Sequence, residues 1–211
     1  MKTIIDIFRE LLKSPLGILE LYSIMIISLC VFVILVSILI NFIEARDNSA
    51  VKKEKKSIVE TGTMFIFFIF FYILIRFGMG SIKYFNLYMR VPLIILGLLI
   101  VVLGTIFNVK GRLVLGKNWA NQIKIYREQT FVTKGVYKIV RHPLYASLIW
   151  IFYGASIIYL NYAAFLANTL IFIPFMYYRA KQEENMLKQQ FKNYSFYSKK
   201  VGMFFPKIIK W

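Results

Sequence analysis

Four stretches of this chain carry almost no charge, and their lengths constrain the fold more than any motif does. Leu21 to Ile40 is rich in Leu, Ile and Val, and Thr61 to Ile82 is broken only by Arg76. Val91 to Val109 is the third stretch, and Pro143 to Tyr178 the longest. A helix needs about 20 apolar residues, rising about 1.5 Å each, to cross a hydrocarbon core about 30 Å thick. Each of the first three runs therefore predicts one span. The fourth would reach about 54 Å as a single helix. It predicts a hairpin of two helices turning near Asn161, with Pro174 kinking the second. The expected fold is all-α and integral to the membrane, with about five spans.

The first run is too long for the core of a cleaved signal peptide, and no small-residue cleavage site follows it. Ahead of it, Ile4, Ile5, Phe8, Leu11 and Leu12 share one helical face opposite Asp6, Arg9, Glu10 and Lys13. That stripe predicts a short helix lying along the interface.

The charge needs a separate explanation. The 211 residues carry 27 Lys+Arg against 10 Asp+Glu, a formal net charge of +17, while 59% are hydrophobic. Basic composition by itself suggests nucleic acid, but a chain this apolar points elsewhere. With the hairpin's two ends placed in the cytoplasm, Glu44–Glu60, Gly111–Arg141 and the tail from Arg179 lie inside. They carry 5, 7 and 8 Lys or Arg, against 3 in the N-terminal segment and 2 in the loop Lys83–Arg90. The excess follows the positive-inside rule. The expectation is a multi-pass protein of a prokaryotic cytoplasmic membrane, with its N-terminus outside, its C-terminus cytoplasmic and no nucleic-acid partner.

The only cysteine, Cys30, lies in an apolar run and reads as a small packing residue. With one cysteine and one histidine, His142, neither an internal disulfide nor a Cys- or His-cluster metal site is available. Gly78-Met79-Gly80 falls inside the second apolar run, Arg76 reads as a snorkelling residue near the outer end, and no Gly-x-Gly-x-x-Gly stretch joins a strand to a helix.

Chemistry is concentrated in two polar segments, Lys110–His142 and Arg179–Trp211, which flank the hairpin on one side. Taken alone, each element is weak. Arg141-His142-Pro143 reads as an interfacial anchor starting a helix. Arg179 and Glu183 sit i,i+4, in the order less favourable for helix support.

Together they form a pattern. Leu115-Gly116-x-x-Trp119 is followed by Val132-Thr133-x-Gly135-x-Tyr137. Val140-Arg141-His142-Pro143-x-Tyr145 comes next, with Gly154 nine residues on. Arg179-x3-Glu183-Glu184-x2-Leu187 and Phe191-x2-Tyr194-x2-Tyr197-x3-Val201-x4-Pro206 complete the set. It resembles the isoprenylcysteine carboxyl methyltransferase family and the related phospholipid N-methyltransferases, over roughly Arg112 to Pro206. The resemblance divides the chain into an N-terminal part, 1–110, and a methyltransferase core, 111–211.

The resemblance implies S-adenosylmethionine as cofactor, bound on the cytoplasmic side over the terminal hairpin. It implies backbone contacts from Val132, Thr133, Gly135, Val136 and Tyr137, with His142 and Tyr145 lining the pocket. Glu184 would hold the cofactor's polar end, and Arg179 and Glu183 would lie beside the reacting groups. No metal is implied. The acceptor is expected to be a lipid-like or prenylated small molecule from the bilayer. The chain departs from the family at Val136, where Gly-Pro-Tyr is common, and at Lys192, where Phe-Gly is common. The alternatives are phospholipid amine methylation, a reductase using a nicotinamide cofactor, and a non-catalytic membrane protein that binds an apolar ligand.

Overall fold

The structure, a computed structural model, describes residues 12, 14–46, 51–55, 58–82, 86–116, 123–126 and 131–207. The amphipathic stripe at 4–12, apart from Leu12, and Trp119 lie outside the described residues.

Pro15 at the first helical position and Ser14, whose Oγ accepts from the Gly17 N–H at 3.0 Å, start helix α1, Pro15–Arg46. Its most apolar 18 residues have a mean hydropathy of 3.1, and most of their surface faces outward, as expected of a helix solvated by lipid. Strand β1, Val51–Lys55, precedes helix α2, Ile58–Arg76. Helix α3, Leu87–Leu115, is capped by Asn86, whose side chain accepts from the Tyr88 N–H at 2.9 Å. Strand β2, Ile123–Tyr126, lies in the loop that leads to helix α4, Pro143–Ile158. Helix α5, Tyr162–Ala167, runs through a π-helical turn, Asn168–Phe172, into helix α6, Ile173–Gln190. Helix α7, Tyr194–Lys200, closes the order.

The helical expectation holds, and among the described residues two helices, α1 and α3, are long and apolar enough to cross a membrane by themselves. Three details differ from the sequence reading. The second apolar run stops being helical at Arg76, six residues early, because Gly78 (φ +61°) and Gly80 (φ +77°) turn the chain back. A Cβ on Gly80 would stand 2.4 Å from that of Ala163, so Gly78-Met79-Gly80 is a tight turn against the hairpin rather than part of a span. Where a kink is expected at Pro174, the structure has a π-helical turn, Asn168–Phe172, just before it. Proline offers no N–H to the turn below and its ring crowds that turn's carbonyl, so the helix widens upstream. The third difference is the antiparallel pairing of β1 with β2, a short ribbon in a fold expected to be all-α.

Helix contact depends on small residues, since lipid tails offer no hydrophobic drive between helices. Gly97 on α3 faces Gly154 on α4, where an added Cβ on Gly154 would meet the Gly97 carbonyl at 2.7 Å. Gly104 lies against Ile151, and Gly111 against Leu144 and Pro143, extending the seam to the end of α3. Phe67 and Phe71 of α2 pack with Phe152 of α4, and Phe67 also with Phe172 of the π turn, at centroid distances of 4.5 to 5.4 Å.

The two ends of the bundle differ. At one, Asn161 donates to the Leu74 carbonyl at 3.0 Å and its Oδ1 accepts from the Ala164 N–H, while Arg90 pairs with Glu20. At the other lie the β1–β2 ribbon and the meeting of α4, α6 and α7.

Candidate active site

Gly135, at φ +61°, opens a 3₁₀ turn, Gly135–Lys138, and packs so closely on Val114 that a Cβ would stand 2.9 Å from its Cγ2. The turn buries Val136 and Tyr137. The chain then runs beside the tail. Val140 bridges to Gly202, the Arg141 N–H donates to the Gly202 carbonyl at 2.8 Å, and the His142 N–H to that of Met203 at 3.1 Å. Pro143 then starts α4, which leaves His142 as its N-cap residue.

The His142 ring lies between two carboxylates from α6. Its Nε2 is 3.2 Å from Glu184 Oε1 and its Nδ1 is 3.5 Å from Glu183 Oε2. Consecutive helical residues point about 100° apart, and here the two carboxylates straddle one imidazole. Arg141 Nε also bonds Glu184, at 2.7 Å, while its Nη1 donates to the carbonyls of Ser198, at 3.0 Å, and Val201. One turn along α4, the Tyr145 ring stacks on His142 with centroids 5.6 Å apart and planes 6° apart. Arg179, only 7% exposed, donates from Nε to Tyr145 Oη at 3.0 Å and from Nη1 to Met64 Sδ at 3.4 Å.

These contacts set the protonation states. Burial pushes the His142 pKa down, but hydrogen bonds and charge from Glu183 and Glu184 outweigh it and hold the ring above its ordinary value. Burial pushes both carboxylates up, and His142 with its arginine neighbours outweighs that too, lowering Glu183 and bringing Glu184 to about 2. The site thus favours an imidazolium between two carboxylates, flanked by two guanidiniums. Burial and Glu183 raise the Tyr137 phenol, which stays protonated.

The fold brings together His142, Tyr145, Arg179, Glu183 and Glu184, and turns Tyr137 toward them. Gly135 and Val136 shape the turn beneath. Thr133 stands elsewhere, on the wall of an open groove shared with Phe131, Lys138, Asn193, Tyr197 and Lys200. Val132, half-buried, precedes it on the same strand of coil. Sequence reading placed Arg141 at the mouth of the hairpin without assigning it to the site, although it grips both Glu184 and the tail. It also missed Met64, which comes from a helix with no motif, and Tyr197, whose hydroxyl donates to the Tyr137 carbonyl at 2.6 Å.

Known proteins resemble much of this chain. Residues 95–189 match the model of the Isoprenylcysteine carboxyl methyltransferase (ICMT) family. Protein-S-isoprenylcysteine O-methyltransferase B of Arabidopsis thaliana is 35% identical over 109 residues, 50% of this chain and 55% of that protein. A probable protein-S-isoprenylcysteine O-methyltransferase of Oryza sativa subsp. indica is 32% identical over 116 residues, 53% of this chain and 60% of that protein. A solved structure of the eukaryotic intramembrane Ras methyltransferase ICMT superposes with a TM-score of 0.53 at 26% identity, covering 73% of this chain and 54% of that one. The chain thus spans about half to three-fifths of the length of these relatives.

Proposed function

We propose that this chain transfers a methyl group from S-adenosylmethionine to the carboxylate of a lipidic acceptor of isoprenylcysteine type. The observation that carries the reading is Arg179: a buried guanidinium oriented by Tyr145 and Met64, one helical turn from Glu183, in a segment matched by the family model.

The residues suit such a cofactor. Glu183 and Glu184 offer negative charge to its ammonium and sulfonium, and Tyr137, Tyr145 and His142 offer ring faces. A buried hydroxyl at the site, that of Tyr194, also has no hydrogen-bond partner in the structure. The bound cofactor would supply an electrophilic methyl group on sulfur. Methylating an ionised carboxylate forms a C–O bond as the C–S bond breaks, and no proton has to leave. The chain must therefore align rather than deprotonate. Arg179 is suited to guide the acceptor carboxylate through its planar fork, Tyr145 fixes that fork, and Glu183 balances its charge. In this reading His142 and Glu184 hold the cofactor's polar end, and the segment Val132–Tyr137 lies along it.

The same reading includes five spans with the site on the cytoplasmic face, and a methyltransferase core at 111–211 preceded by 1–110. Pairing of β1 with β2 supports the topology, since it brings the two basic loops to one end of the bundle. Tyr177 and Tyr178, exposed just before Arg179, match an interfacial aromatic belt. The glycine seam ties the end of α3 to the core. The curated relatives are plant proteins, which lends the prokaryotic expectation no support.

The test is to incubate membranes containing the protein with methyl-labelled S-adenosylmethionine and a farnesylcysteine analogue. Base-labile label released as methanol is the expected result. Base-stable label in phospholipid head groups would mean amine methylation, and no transfer with no cofactor binding would end the methyltransferase reading.

A further inference from the structure

Among the described residues, three buried side-chain polar atoms have no hydrogen-bond partner: Arg90 Nε, Asn168 Oδ1 and Tyr194 Oη. A buried donor without an acceptor is destabilising, whereas phenylalanine would give the same ring packing without that cost. Only Tyr194 stands at the candidate site. Its place is fixed on every side. The backbone N–H donates to the Phe191 carbonyl at 3.0 Å, and the ring is held by Phe131 at 5.6 Å and edge-on by Tyr197 at 5.9 Å. The residue is 1% exposed. One turn along α7, the Ser198 carbonyl receives Arg141, whose Nε grips Glu184. Tyr194, Arg141 and Glu184 therefore share one corner.

We propose that Tyr194 is a ligand-binding residue whose hydroxyl donates to the carboxylate of the cofactor's amino-acid end, beside the Glu184 carboxylate that takes the ammonium. This rests on the methyltransferase reading and extends it to a residue outside the set inferred from the resemblance. The chemistry matches. A zwitterion needs an acceptor and a donor side by side, and the corner offers the Glu184 carboxylate next to the Tyr194 phenol, with Arg141 adding positive charge. Burial, and then Glu184, push the Tyr194 phenol well above its ordinary range, so it remains a donor at neutral pH.

The test compares two probes with the purified full chain by calorimetry. S-adenosylhomocysteine carries the amino-acid end, and 5′-methylthioadenosine lacks it. Tyr194→Phe is expected to weaken S-adenosylhomocysteine about tenfold or more, the loss of a hydrogen bond to a charged group, while methylthioadenosine binds as before. The unliganded variant should melt at or above the wild-type temperature, because the orphan hydroxyl is gone. Equal weakening of both probes, or no change in either, overturns the proposal. A wild-type protein that binds neither probe overturns the cofactor reading itself.

Discussion

At the scale of single residues, the site is a set of mutually dependent charges. The Arg179 guanidinium is fixed by a phenol and a thioether, so its orientation is set before any acceptor arrives. Arg179→Ala should lower turnover at least about a hundredfold, as loss of a preorganised donor does. S-adenosylhomocysteine affinity should stay within about threefold, and Arg179→Lys should not rescue turnover, because an ammonium lacks the planar fork. Activity surviving Arg179→Ala would remove Arg179 from the reaction. The charge set also predicts a pH window for stability. Glu184, lowered in the fold to about 2, stabilises above the ordinary carboxylate value of about 4.3 and loses that contribution as pH falls. His142, raised in the fold, contributes fully below its ordinary value of about 6.5 and loses that as pH rises through its elevated one. The melting temperature of the unliganded protein in detergent should therefore peak between about pH 4.5 and 6.5. His142→Gln should flatten the alkaline decline, and an unchanged profile would show that the imidazolium is not formed.

At the scale of elements, close contact between α3 and α4 positions everything else. The Gly154 of the motif, nine residues after the Arg141-His142-Pro143-x-Tyr145 group, has a structural reason: it lies on the Gly97 carbonyl, where no side chain fits. Gly154→Ala should cost about 1–3 kcal/mol through overpacking, read as a lower melting temperature. Turnover per folded molecule should fall as well, because the start of α4 carries His142 and Tyr145. Gly62→Ala, by contrast, should be tolerated, because a methyl group added there would meet only open space. If both variants behave alike, the seam is not what sets the spacing. The tail obeys the same logic. Gly202 packs so tightly on the Phe205 carbonyl that a Cβ would be 1.9 Å away, which keeps the strap at Val140, Arg141 and His142 close enough to bond.

For the whole molecule, the test concerns sidedness. Tyr162 and Phe196 are both exposed, at opposite ends of the bundle, and Cys30 is the one native thiol. In a Cys30→Ala background, Tyr162→Cys should react with an impermeant maleimide on intact cells, and Phe196→Cys only after permeabilisation. Reaction of both from one side would end the five-span topology. The reversed pattern would keep the topology and invert it.

Much of this architecture was legible in the chain itself. The long apolar helices, the hairpin and the clustering of lysine and arginine depend on local composition, and hydrophobic runs report that directly. Motif spacing also marked most of the residues now found together. The meeting of His142 with two carboxylates some forty positions later was another matter, as were the reach of Met64 from α2 to Arg179 and the orphaned hydroxyl of Tyr194. Each depends on how closely helices approach and on which face each one turns inward. Those are properties of packing between distant segments, and no local pattern of residues carries them.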